Sequence, residues 1–274
     1  MVKLYQRLSM VCVLTAILGF MGLGVAWAEH SWGDYHWART SNPLPLQVVD
    51  SVSVEWQGEF EIALAEWNQS TVLEMSIGST DDGSRTRKRC KMQSGQMRVC
   101  NASYGFNGWL GIATIGLDSN GKIDQGTAKM NDSYAFYWED PNEKRHVMCQ
   151  EIGHVFGLGH TSEDGSTQHT CMDYSMDPTS ISPNQHDYDL LAAKYEHFDS
   201  YNSYNDGSSS DGDDPKPCNP RKPGCTGFDL PVGVPAGAAL VHRGHHAETW
   251  VKNRPDGGLW FFHIRLAPGG PGKQ

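Results

Sequence analysis

Residues 150–160 read Gln-Glu-Ile-Gly-His-Val-Phe-Gly-Leu-Gly-His, QEIGHVFGLGH. Gln150 and His154 stand four residues apart, one turn of helix, so their side chains share a face. Glu151 lies beside them. Gly157 permits the positive φ that ends a helix and turns the chain. That turn lets His160 approach the same point from outside the helix. Two imidazoles and a carboxylate at this spacing are the parts of a zinc site in which the metal polarises a water and a glutamate takes its proton. Where a third imidazole would complete the set stands Gln150, whose side-chain oxygen is a neutral, weak zinc ligand.

Placing His at position 150 turns the stretch into H-E-x-x-H-x-x-G-x-x-H, with Glu151, His154, Gly157 and His160 in register. Downstream comes Cys171-Met172-Asp173-Tyr174, in which Met172 fits a methionine turn beneath a metal. Through these two motifs the chain resembles the metzincin zinc peptidases, over roughly residues 145 to 198. Thr161, after the last histidine, is similar to matrixins, and the resemblance points to a matrixin-like bacterial group. Tyr174 stands two residues after the methionine, as in astacins and serralysins.

The resemblance implies an α+β catalytic domain: a twisted mixed sheet with long helices, an active-site helix and a methionine turn. It implies one catalytic zinc ion, held by His154, His160 and, more weakly, Gln150. Glu151 would be the general base, Tyr174 a stabiliser of the oxyanion, and Met172 the floor of the site. The substrate would be an extended peptide or protein. Gln150 keeps two readings open. One is a zinc metalloendopeptidase with a weakened ligand set; the other is a pseudoprotease that keeps the groove as a binding module. His146, Cys149 and His169 are weaker substitutes for the missing imidazole. His146 is two turns, about 12 Å of rise, from His154.

Outward from the motif, residues 1–28 read as a secretory signal peptide: Lys3 and Arg7, an apolar run from Met10 to Val25, then Ala26-Trp27-Ala28. Export to the periplasm or the extracellular space follows. Losing two basic residues and no acidic one takes the net charge from −10 to −12. That charge argues against a nucleic-acid partner, and no membrane is expected after cleavage. Of seven cysteines, Cys12 leaves with the signal. Sequence proximity pairs the other six as Cys90–Cys100, Cys149–Cys171 and Cys218–Cys225, in keeping with an oxidising compartment. The middle pair would staple the residue before Gln150 to the residue before Met172.

The domain is expected over residues 29–199, an acidic Ser/Gly/Asp/Pro linker over 200–227, and a small β-hairpin appendage over 228–274. Trp56, Phe60, Leu64 and Trp67 recur at helical spacing in 54–68. Thr71 to Ile77 alternates like a strand, and Ser79 to Arg89 is polar and loop-like. Trp109 to Leu117 and Lys122 to Met130 read as strands around an Asp-Ser-Asn-Gly turn, with only a weak flavour of a calcium loop. In metzincins a strand at this place forms the sheet edge that pairs with substrate. The segment 142–160 carries the active-site helix, and 187–198 a closing helix after Ser182-Pro183. In the appendage, Thr249-Trp250-Val251 and Trp260 to Ile264 flank a turn at 255–258. His242, His245, His246 and His263 there read as scattered surface histidines, with a second metal site as the alternative.

Overall fold

The computed structural model describes residues 30–204 and 234–268. The expected signal peptide, the linker beyond residue 204 and the Cys218–Cys225 pair lie outside those residues. The elements are β1 (Gln47–Ser51), α1 (Gln57–Trp67), β2 (Ser76–Thr80), α2 (Ser84–Arg89), β3 (Gln96–Ala102), β4 (Trp109–Leu117) and β5 (Ile123–Asn131). They continue with α3 (Pro141–His154), α4 (Gln185–Lys194), β6 (Ala239–Arg243), β7 (Ala247–Asn253) and β8 (Leu259–Leu266). No helix among the described residues is long and apolar enough to cross a membrane.

The strands form one mixed sheet in the order β2-β1-β3-β5-β4-β8-β7-β6. β1, β2, β3 and β5 run parallel. From β4 onward every pairing is antiparallel. Helices α1 and α3 pack together, and α3 lies on β4 and β5, so the class is α+β. The main core fills the space between helices and sheet, with Phe60, Trp67, Ile115, Ile123, Ile152 and Phe156 buried in it. A smaller cluster around Trp109, Ile112, Trp250, Trp260, Phe262 and Ile264 sits on the other face of the sheet. Strand alternation explains the split along β8: Phe261 points to the helices, while Trp260 and Phe262 point away.

Helix α1 forms because its aromatic stripe finds the core at every turn; Trp56, Phe60, Leu64 and Trp67 are all buried. Its end is tied to α3 by Trp67, whose indole Nε1 donates to the Cys149 carbonyl at 3.0 Å. Helix α3 starts under Asp140, whose carboxylate accepts from the Asn142 N–H, with Pro141 in the first turn. It approaches the sheet closely because β4 and β5 offer glycines there. A Cβ on Gly111 would collide with the Glu151 carboxyl group, and one on Gly126 with the Val155 side chain. The helix ends at His154, and Gly157 takes a φ of 79° as the chain turns away. A disulfide joins Cys149 to Cys171 and another joins Cys90 to Cys100.

Several elements differ from expectation. The strand expected over 71–77 begins only at Ser76. The residues before it cap α1 instead: the Asn68 amide donates to the Met75 carbonyl at 2.9 Å and accepts its N–H at 2.7 Å. Val72, Leu73 and Met75 are all buried, so their burial does not alternate as a strand's would. The polar stretch before Cys90 holds the short helix α2. The active-site helix stops six residues short of His160, and α4 begins at Gln185 under an Asn184–Asp187 capping box. The Asp118 turn, by contrast, joins β4 and β5 as the expected hairpin, with Asp118 Oδ1 accepting from the Asn120 and Lys122 N–H groups at 2.8 and 2.9 Å. The carboxy-terminal appendage is three-stranded rather than a hairpin, and β8 joins it to the main sheet along β4.

The seat of α3 on the sheet can be tested at a distance from the histidines. Gly126→Ala overpacks the contact with Val155 and is expected to cost about 1–3 kcal/mol of stability. A lower urea midpoint at unchanged slope would report it. An unchanged midpoint would mean that α3 does not sit on β5 at this spacing.

Candidate metal centre

Helix α3, the loop behind it and β8 bring three buried imidazoles together. One coordinating nitrogen each of His154, His160 and His263 lies within 4.8 Å of the others. The ring of His263 lies 4.2 Å from that of His154 and 4.6 Å from that of His160, centroid to centroid. The helix delivers His154, the Gly157 turn delivers His160, and strand pairing delivers His263 opposite Ala113 of β4.

The hydrogen bonds define which nitrogens are free. His154 Nδ1 donates to the Leu158 carbonyl at 2.8 Å, and His160 Nδ1 donates to Glu163 Oε1 at 3.2 Å. That tautomer choice leaves a lone pair on each Nε2, and the two Nε2 atoms face each other at 2.9 Å. Burial, chiefly, lowers the pKa of His154 to about 3 and drives that of His160 well down, so neither ring is charged near neutrality. Two buried acceptors facing each other repel unless a cation lies between them. At zinc–nitrogen bonds of about 2.1 Å, tetrahedral coordination sets nitrogens about 3.3–3.4 Å apart. His263 Nδ1 is buried without a hydrogen-bond partner. The donor set therefore fits a borderline divalent cation such as Zn²⁺.

Glu151, three residues before His154 on α3, is fully buried against Gly111 of β4, and neither carboxylate oxygen has a good hydrogen-bond partner. Burial raises its pKa to about 8, against the opposing pull of Arg265 and the Ala113 backbone. Tyr174 places its hydroxyl 3.4 Å from His263 Nε2 and its ring 4.1 Å from that of His160. Burial keeps its phenol protonated far above neutral pH. The Met172 sulfur lies under α3, where a Cβ on Gly153 would meet it at 2.6 Å. The Thr161 N–H donates to the Met172 carbonyl at 2.9 Å, joining the last histidine's loop to this turn.

Gln150 is not aimed at the imidazoles' meeting point as expected. Its Oε1 accepts from Arg265 Nη1 at 2.6 Å, and its Nε2 donates to the Asp173 carbonyl at 2.9 Å. The oxygen that was to bind the metal faces a guanidinium. Of the other candidates, Cys149 is in its disulfide, and His146 Nε2 lies 2.9 Å from the Asp173 carbonyl oxygen. His169 bonds Thr179 Oγ1 at 2.7 Å on the surface.

Sequence reasoning placed four participants elsewhere or gave them no role at this centre. His263 and Arg265 sit on β8, whose distance in sequence hides them. Their signal was the i, i+2 spacing with Phe261, which marks one face of a strand. Trp32 stacks on the His154 ring at 4.9 Å and 14°, sealing the cluster from the amino-terminal side. Glu163 holds His160 and also contacts His242 Nε2 at 3.1 Å. A cavity of about 340 Å³ opens over His160 and His263, between Trp32, Glu163, His242 and Thr249. Glu151 and His154 do not line it and have no solvent exposure.

A second cluster, His36, His197 and Asp199, also has metal-like spacing. Lys122 already supplies its cation: Nζ lies 3.0 Å from His36 Nε2 and 3.4 Å from Asp199 Oδ1.

No protein-family model matches the chain, and no curated protein matches it. Among solved structures, high choriolytic enzyme 1, a hatching enzyme zinc-protease from the medaka fish Oryzias latipes, is similar at a TM-score of 0.34 and 13% identity. The match covers 59% of this chain and 94% of that one. At that level the similarity by itself establishes neither family nor activity.

Carboxylates that hold the far nitrogen of a metal-binding histidine typically contribute about 10–100-fold in affinity. Glu163→Gln is accordingly expected to weaken Zn²⁺ binding by that factor, measured by competition with a chromophoric chelator. Unaltered affinity would show that Glu163 does not orient a ligand.

Proposed function

We propose that this protein is an exported zinc-dependent peptidase of metzincin type, whose centre includes His154 and His160 and whose general base is Glu151. One observation carries the reading: the Nε2 atoms of two buried imidazoles, His154 and His160, face each other at 2.9 Å, and the helix that carries His154 also carries a buried carboxylate lacking partners. A buried, unpaired carboxyl group one turn from such a pair has no structural use that would offset its burial. The two disulfides fit an oxidising compartment outside the cytosol.

A zinc ion between the imidazoles would supply Lewis acidity, lowering the pKa of a water it polarises to about 7. Glu151 would take a proton from that water and pass it to the departing amine. With its pKa raised to about 8 by burial, the carboxyl group can both accept and return a proton near neutrality. Tyr174 keeps its phenolic proton and would donate it, as a hydrogen bond, to the oxygen on which charge develops. The disulfide between Cys149 and Cys171 would hold the helix against the Met172 turn and keep these groups in register. Gln150 is left out of the ligand set because Arg265 occupies its oxygen.

The burial of Glu151 and His154, together with the pairing of β8 along β4, favours a second reading: a metal-holding module that binds a partner without hydrolysing it. The two differ in one assay. The full chain would be tested for caseinolysis with and without chelator, beside its zinc content. A peptidase loses hydrolysis on chelation and regains it with Zn²⁺; stoichiometric zinc without hydrolysis supports the second reading. Glu151→Gln is expected to lower turnover by about 10²–10⁴-fold while zinc stays bound, because the base is not a ligand. Turnover equal to wild type would remove Glu151 from the mechanism.

A further inference from the structure

On α3, position 150 shares the helix face of His154 and is the natural place for a third ligand, yet it carries an amide committed to other partners. Arg265 Nη1 donates to Gln150 Oε1 at 2.6 Å, and the same guanidinium pairs with Glu143 Oε1 at 3.1 Å through Nη2. Two residues before Arg265, on the same face of β8, stands His263. Its ring reaches the other two imidazoles, it is 2% exposed, and its Nδ1 has no partner. A core histidine in a purely structural role would have both nitrogens satisfied. The Tyr174 hydroxyl lies 3.4 Å from its Nε2.

The register of β8 is fixed from both sides. The ladder places His263 opposite Ala113 and Arg265 opposite Gly111. Shifting β8 by one residue would turn His263 to the opposite face of the sheet. Shifting it by two would put Phe261 or Arg265 where His263 now stands. The contacts of Arg265 with Gln150 and Glu143 oppose both slips.

We propose that His263 is the third protein ligand of the metal centre: β8 supplies the imidazole that α3 lacks, and the Arg265–Gln150 pair locks the strand in the register that delivers it. The assignment rests on the metal reading above and adds a ligand from the far end of the chain. The centre then draws one ligand each from α3, from the loop after it and from β8. Holding the metal becomes conditional on the carboxy-terminal strand being docked.

The test uses the full chain, stripped with chelator and reloaded with Zn²⁺ or with Co²⁺ as a spectroscopic substitute. Wild type is expected to bind one Zn²⁺. His263→Ala should lose more than the roughly 100-fold that removal of an outer partner costs. Gln150→Ala should lose less than about tenfold, since it keeps all three imidazoles and leaves the Arg265–Glu143 pair to hold the register. His263→Cys gives the decisive signature: a thiolate at position 263 bound to Co²⁺ produces a sulfur-to-metal charge-transfer band in the near ultraviolet. A change in packing alone produces none. Equal Zn²⁺ affinity in wild type and His263→Ala would overturn the assignment and leave the metal reading standing. So would equal losses in the two alanine variants with no charge-transfer band in His263→Cys. Absence of Zn²⁺ binding by wild type would defeat the metal reading itself.

Discussion

Along the seam between β4 and β8, eight residues of each strand stand opposite one another in an antiparallel ladder, from Trp109 with Leu266 to Leu117 with Leu259. This ladder closes what would otherwise be the sheet edge beside α3. It also sets which residues of the carboxy-terminal segment face the helix. Phe261 enters the main core, His263 reaches the imidazoles and Arg265 reaches Gln150. On the other face, Trp260, Phe262 and Ile264 bury against Trp109, Ile112 and Trp250. With apolar side chains covered on both sides, β8 behaves as an interior strand, and its detachment would expose both clusters. The polar cluster thus inherits its geometry from hydrophobic packing.

The same packing sets the electrostatics. Trp32 lies flat on His154, Glu151 packs on Gly111 of β4, and the site is drier than a surface cleft. Desolvation then acts in opposite directions on the two kinds of group. It raises the pKa of Glu151 and lowers those of His154, His160 and His263, in each case favouring the neutral form. A cluster of neutral acceptors beside a neutral acid is a site waiting for positive charge. Arg265 brings one such charge, but Glu143 and Gln150 hold it on the Tyr174 side, its guanidinium carbon 5.3 Å from that ring's centre.

What was legible in the sequence was what repeats locally. Trp56, Phe60, Leu64 and Trp67 announce α1, and the continuous apolar run from Trp109 announces β4 with its true boundaries. The spacing of Glu151, His154, Gly157 and His160 encodes a helix, a turn and a return, all within one supersecondary unit. Cys149 and Cys171 were paired from proximity alone, and they are joined. Illegible were the partners brought by long-range pairing. β1 and β3 are parallel neighbours, and nothing local marks that relation. His263 was read as a surface histidine, or as part of a separate second metal site, because periodicity gives a strand's faces but not which other strand it will meet. The clue lay in both faces at once. Phe261, His263 and Arg265 alternate with Trp260, Phe262 and Ile264, and a strand so apolar on one side and so laden on the other has to be buried twice.

The residue that broke the motif then takes on a different meaning. A histidine at position 150 would set a third imidazole on α3 beside a guanidinium that needs an acceptor. Its one lone pair could serve the metal or the arginine, but not both. An amide serves the arginine fully: its carbonyl oxygen takes the N–H of Arg265, while its NH₂ group satisfies the Asp173 carbonyl of the turn beneath. Gln150 and His263 are therefore complementary. Once β8 carries the imidazole, the helix position is best filled by a neutral acceptor for the arginine two residues further along the strand. On this account the loss of a ligand from the helix and the docking of the carboxy-terminal strand are one structural fact seen from two elements.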